Sequence, residues 1–310
     1  MAELKSDVRN IVGTTTITEL KIPVPWGHIA AKAWGDHQSS PVLCLHGLQD
    51  NSNTFDHLVP LLPSSFFYLC IDFPGHGQSS HFPPGIILDF LDYVMSIKRV
   101  MDYFHWRKAN ILAHSFGAQL GSYYAALFPH SVSKLIMLDT IAAYCVPTEE
   151  YIKRFSYLTD KLLTRERQMS QNNPPSYSYE EAVNRLRSSR FSELTVESAN
   201  TLVKRSLVSR GNGFGFSTDQ RLKSGVWPFL DVKQHMSVLR EITCPHLIIA
   251  AKDSRPHFEM TLYKNILAMF QRRANFRIVF VEGNHDVHLN HPERVVTYVT
   301  KFLLRNTSRL

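Results

Sequence analysis

The chain has 310 residues, enough to bury most of its apolar surface around one sheet with an insertion. Hydrophobic residues make up 44% and charged residues 20%, and the sequence has no fixed-period repeat, so the composition excludes a disordered chain or a solenoid. The net charge of +7 is spread along the chain without a run of five or six like charges. This pattern predicts a solvated basic surface and no nucleic-acid binding, while attraction of an anionic substrate or membrane surface stays open as the lesser alternative.

The cysteines and the N-terminal segment indicate the compartment. No C-x-x-C spacing occurs, and two of the cysteines lie in apolar runs, so all are predicted to be reduced thiols. They are Cys44, Cys70, Cys145 and Cys244. Residues 1–13 lack the apolar core of a signal peptide, and no run of about 18 apolar residues offers a transmembrane segment. The sequence therefore predicts an intracellular protein.

The last three residues are Ser308-Arg309-Leu310, a variant of the Ser-Lys-Leu address of peroxisomes. They follow a segment with helical periodicity, residues 292–305, which would leave them as a short polar tail. The sequence thus predicts that the peroxisomal import receptor is a partner and the location is peroxisomal. A chance tail on a cytoplasmic protein is the alternative.

Extended segments and helical periods alternate along most of the chain. Residues 17–24 and 28–34 predict an antiparallel pair that opens the fold. Later apolar runs are typical of strands buried on both faces of a parallel sheet. The predicted strands cover residues 41–46, 66–72, 109–114, 134–139, 246–251 and 277–282. The predicted helices between them cover residues 55–62, 86–104, 118–128, 260–270 and 293–304.

The segment from residue 141 to 239 contains no such strand. It shows helical patterns, one of which opens with the capping box Ser178-x-x-Glu181. We therefore predict an α/β fold in which residues 1–140 and 240–310 form the core, with a mostly parallel central sheet. Residues 141–239 are predicted to form an inserted helical cap, or lid.

Ser115 is the candidate nucleophile. It lies between the predicted strand 109–114 and a helix, in the sequence Ala113-His114-Ser115-Phe116-Gly117. Small neighbours are typical of a nucleophile elbow, the sharp turn that exposes a catalytic serine, although alanine here stands where glycine is usual. A structural serine is the lesser alternative.

His285 is the candidate base. It follows the last predicted strand and precedes the final helix, where the histidine arrives in the chain order Ser, Asp, His. His288, three residues later, is the alternative base, although a hydrogen-bonding role beside the site suits it better. His114, beside the nucleophile, is predicted to support the loop or core.

Two aspartates qualify as the acid that orients this histidine. Asp253 closes the predicted strand 246–251, and Asp139 closes the strand that follows the nucleophile helix. Chain order admits both, and the usual position of the acid favours Asp253. Asp139 is retained as the alternative acid.

An oxyanion that develops during acyl transfer needs two backbone N–H donors. Phe116, directly after the nucleophile, supplies the first at the start of a helix. Leu48, in the loop after the predicted strand 41–46, supplies the second. The glycine-rich turn at residues 72–79 lacks a phosphate-loop pattern and is predicted to be structural. The sequence has no paired His/Cys ligand spacing, so we expect neither a metal nor a cofactor.

Several of these segments together resemble the serine hydrolase-like proteins of animals, the kraken-type branch of the α/β-hydrolase superfamily. The segments are His46-Gly47, Asp72-x-x-Gly75-His76-Gly77-x-Ser79, His114-Ser115-Phe116-Gly117, Leu138-Asp139, Gly283-Asn284-His285-x-x-His288-Leu289, Pro25 to Lys32 and Asp219 to Leu222. The resemblance covers nearly the whole chain. It implies the α/β-hydrolase fold and an intracellular serine hydrolase that carries Ser115, Asp253 and His285.

The predicted function is hydrolysis of a small-molecule carboxylic ester or thioester through an acyl-enzyme on Ser115. Two alternatives stay open, because fold does not fix function. One is cofactor-free lyase or oxygenase chemistry on the same triad, and the other is a non-catalytic ligand-binding protein. The thioester hypothesis draws on the basic cap, which would suit the phosphates of an acyl-coenzyme A.

Overall fold

A nine-stranded sheet forms the centre of the fold in the computed structural model, which describes residues 9–12, 15–170, 175–226, 228–254 and 260–305. Its strands are β1 (Arg9–Val12), β2 (Thr15–Val24), β3 (Gly27–Trp34), β4 (Ser40–Leu45), β5 (Phe66–Ile71), β6 (Ala109–His114), β7 (Val132–Leu138), β10 (His246–Ala251) and β11 (Phe276–Val281). Their order is β1-β2-β3-β5-β4-β6-β7-β10-β11. β1, β2, β3 and β5 are antiparallel neighbours, and all pairs from β5 to β11 are parallel. The predicted fold class is confirmed.

Helices and short turns cover both faces of this sheet. The helices are α1 (Phe90–Tyr103), α2 (Phe116–Leu127), α3 (Tyr151–Ser170), α4 (Tyr179–Ser188), α5 (Val196–Ser206), α6 (Val232–Arg240), α7 (Thr261–Gln271), α8 (Val287–Asn290) and α9 (Glu293–Leu304). Alternate residues of β4 point to opposite faces: Leu43 and Leu45 join one apolar cluster, and Val42 and Cys44 join another. This two-residue period explains why the parallel strands are continuous apolar runs.

The predicted helix at residues 55–62 is wrong. Two 3₁₀ turns, Ser52–Phe55 and Val59–Leu61, occupy this region instead. Pro60 lies in the second turn and Pro63 follows it, and proline in a helix interior removes a hydrogen bond and clashes with the preceding turn. The apolar residues Phe55, Leu58 and Val59 are nevertheless buried, which accounts for the helix-like spacing of the sequence.

The insertion between β7 and β10 closes on itself. The Val146 N–H donates to the Leu230 carbonyl at 2.9 Å, which joins its two ends. α6 packs against α2 and buries Leu239 in the main core. We therefore propose that the cap is the segment from residue 146 to 230 and that α6 belongs with the sheet. The capping box of Ser178 and Glu181 at the start of α4 is confirmed.

The cap also contains two short strands of a kind that the sequence analysis did not predict. A two-stranded hairpin, β8 (Leu207–Arg210) and β9 (Gly213–Phe216), follows α5. Gly211 and Asn212 form its turn, with Gly211 at a φ of 57°. A glycine-containing pair of residues between short extended segments is a hairpin signal that was available in the sequence.

No helix in the described ranges is long and apolar enough to cross a membrane. Ser308-Arg309-Leu310 and Trp227 lie outside the described residues.

Candidate active site

Ser115 lies on a sharp turn between β6 and α2. Its φ of 50° and ψ of −119° are a strained combination for a residue with a side chain. A Cβ at Gly117 would lie 2.3 Å from the Leu45 carbonyl oxygen, so only glycine fits there. Ala113, which stands where an elbow usually has glycine, is fully buried in β6 between β4 and β7. The turn therefore forms with alanine at that position.

His285 lies in the loop between β11 and α8, where its ring reaches Ser115. The distance from Ser115 Oγ to His285 Nε2 is 2.8 Å, so the hydroxyl can donate to the ring. His285 Nδ1 lies 2.6 Å from Asp139 Oδ2 and donates to it. The structure thus brings Ser115, His285 and Asp139 into a continuous hydrogen-bonded chain.

Asp139, and not Asp253, is the carboxylate that contacts the histidine, which corrects the preference for Asp253 that the usual position of the acid suggested. Asp139 Oδ1 also accepts from the Ala251 N–H at 2.6 Å, and its Oδ2 accepts from the Ser254 hydroxyl at 2.7 Å. Asp139 is buried and has a φ of 49°. These contacts fix the carboxylate toward His285.

Asp253 faces solvent, because the chain turns directly after β10. Residues Lys252–Ser254 form a 3₁₀ turn that directs Ser254 inward and leaves Asp253 exposed. Asp253 lines a separate small cleft beside Gly283 and Arg294. Ser254 is therefore the inward-pointing residue after β10, and it supports Asp139.

Asp139 raises the pKa of His285 above its ordinary value. Burial alone lowers this pKa, but the hydrogen bond that His285 donates to Asp139 and the negative charge of Asp139 outweigh burial. The carboxylate therefore stabilises the imidazolium that would form when Ser115 gives up its proton.

Two further histidines lie beside His285, and their rings have hydrogen-bond partners other than the Ser115 hydroxyl. His114 Nε2 donates to the His285 carbonyl at 3.0 Å, and His288 Nε2 is 2.8 Å from Thr54 Oγ1. Burial lowers the pKa of His114 to about 3, so this ring is neutral. The predicted supporting roles of His114 and His288 agree with these contacts.

The candidate oxyanion donors are the residue directly after Ser115 and a residue of the loop after β4. Phe116 is the first residue of α2, and Leu48 lines the same cavity as Ser115. The backbone at Gly47 approaches the serine closely, because a Cβ there would lie 3.2 Å from Ser115 Cβ. His46 Nδ1 donates to the Gly47 carbonyl at 2.7 Å and its Nε2 accepts from the Phe73 N–H, which fixes this loop.

A cavity of about 610 Å³ opens above Ser115. The sheet domain contributes one wall and the cap contributes the other, so a substrate would lie between them. Apolar side chains from both parts line it: Leu48, Ile141, Ala142, Tyr144, Leu186, Phe191 and Phe216. Phe191 also contacts the His285 ring edge to face, with centroids 5.1 Å apart.

A buried ion network fastens the cap beside the loop that carries His285. Arg190 of the cap donates to Asp50 Oδ1 at 2.8 Å and to Asp286 Oδ1 at 2.7 Å. Both carboxylates are nearly inaccessible, with side-chain exposures of 2% and 1%. Burial alone would raise the pKa of Asp286, but the charge of Arg190 lowers it. The sequence analysis missed this network, because its members are far apart in the chain.

Replacement of Arg190 with methionine should destabilise the protein by about 3–5 kcal/mol, because it leaves two buried carboxylates without a counter-charge. Urea unfolding followed by tryptophan fluorescence measures the change. A neighbouring pair on the surface of the cap, Arg187 and Glu193, is the matched control. Arg187→Met should cost less than about 1 kcal/mol. Equal effects of the two substitutions would contradict the proposed importance of the network.

One group of side chains among the described residues has ligand atoms close enough together to hold a metal ion. It consists of Asp50, His114 and Asp286, whose ligand atoms all lie within 4.8 Å of one another. Arg190 already donates to both carboxylates. Its guanidinium supplies the positive charge that a metal ion would otherwise bring.

Known proteins are similar to this chain in sequence and in fold. Residues 40–292 match the family described by the alpha/beta hydrolase fold. Serine hydrolase-like protein 2 of Homo sapiens is 35% identical, over 93% of this chain and 94% of its own. Serine hydrolase-like protein of Danio rerio is 33% identical, over 94% of this chain and 90% of its own.

Solved structures show the same fold. A hypothetical protein of Pseudomonas aeruginosa PAO1 superposes with a TM-score of 0.80 at 24% identity, covering 92% of this chain and 97% of its own. The thioesterase domain from the curacin biosynthetic pathway superposes with a TM-score of 0.75 at 21% identity, covering 91% of this chain and 98% of its own. Together with the sequence matches, these likenesses lead to one conclusion: the chain belongs to the α/β-hydrolase family and, within it, to the serine hydrolase-like proteins.

Proposed function

We propose that the protein is a serine hydrolase that cleaves a carboxylic ester or thioester through an acyl-enzyme on Ser115. The observation that carries this proposal is the hydrogen-bonded chain from Ser115 through His285 to Asp139. A serine hydroxyl activated in this way attacks acyl carbons in many unrelated hydrolases. Membership of the hydrolase family supports the same reaction class.

The proposed reaction has two halves. Ser115 Oγ bonds to the acyl carbon while His285 Nε2 takes the hydroxyl proton, and the carbonyl electron pair moves onto oxygen. Collapse of this intermediate breaks the bond to the leaving alkoxide or thiolate, which takes the proton from His285. Water then attacks the acyl-enzyme with His285 again as the base, which releases the acid and restores Ser115.

The backbone N–H groups of Leu48 and Phe116 are proposed to stabilise the oxyanion. Donors fixed in advance at the position where charge develops contribute about 3–4 kcal/mol each in comparable sites. The dipole of α2 adds to this effect at Phe116, because the positive end of a helix faces its N-terminus.

The test is a pre-steady-state assay with p-nitrophenyl acetate and butyrate. We expect a burst of about one p-nitrophenol per protein molecule, because acylation releases the phenol before the slower hydrolysis of the acyl-enzyme. A fluorophosphonate probe should label the peptide that contains Ser115, as mass spectrometry would show. The heat-denatured protein is the control.

Two alternative functions predict different results. A lyase or oxygenase that uses the same triad would turn over its substrate without a stable acyl-enzyme. A ligand-binding protein would bind saturably without turnover. Native protein that shows neither a burst nor labelling would contradict the hydrolase proposal.

A further inference from the structure

Two cationic side chains of the cap line the cavity, and a third lies near one of them. Arg185 of α4 and Lys223 of the 3₁₀ turn Gln220–Ser224 line the same cavity as Ser115. α3 packs against that turn, and its Arg165 lies close enough to Lys223 to change its titration. Three separate elements of the cap therefore direct positive charge toward one place.

Acidic side chains do not neutralise this group. Across the described ranges, no carboxylate lies within ion-pair distance of Arg185 or Lys223. Glu181, one helical turn before Arg185, could have paired with it, but its carboxylate accepts from the Ser178 N–H in the capping box. The Arg185 guanidinium lies instead over the Tyr177 ring, 4.5 Å from its centroid. Its N–H groups are thus available to a ligand at the edge of the cavity.

The pKa of Lys223 lies below its ordinary value, in part because of the neighbouring positive charges. Burial lowers its pKa, and the charges of Arg165 and Arg185 lower it further. Like charges held together without a counter-ion repel one another, so a bound anion would stabilise this part of the cap. Lysine and arginine are also the residues that bind carboxylate and phosphate groups most often.

We propose that the substrate carries an anionic group, a carboxylate or a phosphate, which Arg185 and Lys223 bind while the acyl carbon lies at Ser115. This inference rests on the proposed hydrolase function and narrows its substrate class. Sites of about 300–1,000 Å³ accommodate small molecules with a few polar anchors and mostly apolar walls. The cavity of about 610 Å³ above Ser115 is of this kind.

The test compares matched esters that differ in one charge. Mono-p-nitrophenyl glutarate is anionic, and p-nitrophenyl pentanoate is a neutral ester with the same number of acyl carbons. Butyryl-4′-phosphopantetheine and butyryl-pantetheine, which differ by one phosphate group, make the corresponding comparison for phosphate. The measured quantity is the ratio of kcat/KM for the anionic substrate to that for the neutral one.

Lys223→Gln and Arg185→Gln should each lower this ratio about fivefold, because each removes a partly exposed charge pair with the ligand that contributes about 1 kcal/mol. The double variant should lower the ratio about 25-fold. Lys233→Gln removes the same unit of charge from the exposed face of α6 and should leave the ratio unchanged. Higher ionic strength should lower the ratio of the wild type, because salt screens exposed charges. If the variants lower the ratio for the glutarate and pentanoate esters, the bound group is a carboxylate. If they lower the ratio for the two thioesters, the bound group is a phosphate.

A ratio that stays the same in the double variant for both pairs of substrates would overturn the proposal, even with robust ester turnover. If the wild type hydrolyses no ester at all, the function is wrong, and binding decides the inference separately. For that case, calorimetry on Ser115→Ala compares monomethyl glutarate with methyl pentanoate. Tighter binding of glutarate, lost in the double variant, supports the anion site, and equal binding contradicts it.

Discussion

Replacing Ser115 with alanine should lower kcat/KM for p-nitrophenyl butyrate by about 10⁶-fold, the scale seen when a serine hydrolase loses its nucleophile. The substitution removes the atom that forms the bond to the acyl carbon, and no neighbouring side chain can replace it. His285 Nε2 hydrogen-bonds to Ser115 Oγ at 2.8 Å, and the two nearby histidines contact other partners. Steady-state kinetics and fluorophosphonate labelling measure the loss.

The matched control is a buried serine in α2, the helix that follows Ser115. Ser122 donates to the Gln119 carbonyl at 2.7 Å within α2 and does not line the cavity. Ser122→Ala should keep activity within about twofold, because surface and structural changes away from the site alter stability and not chemistry. A Ser115→Ala protein that folds normally and still shows a burst would contradict the assignment of the nucleophile.

Replacing Asp139 with asparagine should lower kcat by about 10⁴-fold, because asparagine holds the imidazole in the wrong tautomer and cannot stabilise the imidazolium. Asp253→Asn should leave kcat within about twofold, since that carboxylate is exposed and lines another cleft. The same ester assay measures both variants. Loss of activity in Asp253→Asn with retention in Asp139→Asn would reverse the assignment.

The pH profile gives a second readout of the same prediction. The base must be neutral to accept the Ser115 proton, so kcat/KM falls as the pH drops through the pKa of His285. Asp139 raises this pKa above its ordinary value of 6.5, which moves the acid limb of the wild type above pH 6.5. Asp139→Asn removes the negative charge, so its acid limb should move to lower pH. An unchanged limb would mean that another group titrates.

The sequence is sufficient to predict most of the sheet. Strands buried on both faces need apolar residues at nearly every position, and that requirement makes β4 to β7 and β10 recognisable as short apolar runs, whereas β11 lies at the sheet edge and is only partly buried. Ser115 and His285 are also predictable, because Ser115 directly follows β6 and His285 lies in the short loop after β11. The 3₁₀ turns after β4 were mistaken for a helix, since their buried residues have helical spacing and only the prolines oppose it.

The acid could not be chosen from chain order, because the choice depends on two turns. After β7, the positive φ of Asp139 directs its carboxylate toward the loop of His285. After β10, a 3₁₀ turn directs Ser254 inward in its place. Both aspartates end apolar strands, so the local sequence does not distinguish these conformations. Only the path of the backbone does.

The ion pairs of Arg190 could not be predicted from the sequence either, because they join residues that are far apart in the chain. Arg190 is 140 residues from Asp50 and 96 residues from Asp286 in the chain. Nothing in the local sequence of any of the three residues indicates that they meet. Their pairing depends on how the cap lies on the sheet domain, which is a property of the complete fold.

The cap has unequal attachments along its length. α5 is held by buried polar contacts: Asn51 and Asn53 donate to its carbonyls, and Arg205 pairs with the buried Asp72. α3 has only Leu162 buried among its described side chains. Segments with few buried contacts open at lower free energy than well-packed ones. Opening at α3 should therefore cost less free energy than opening at α5, and we expect substrate to enter on the α3 side while the buried Arg190 contacts hold their part of the cap beside His285.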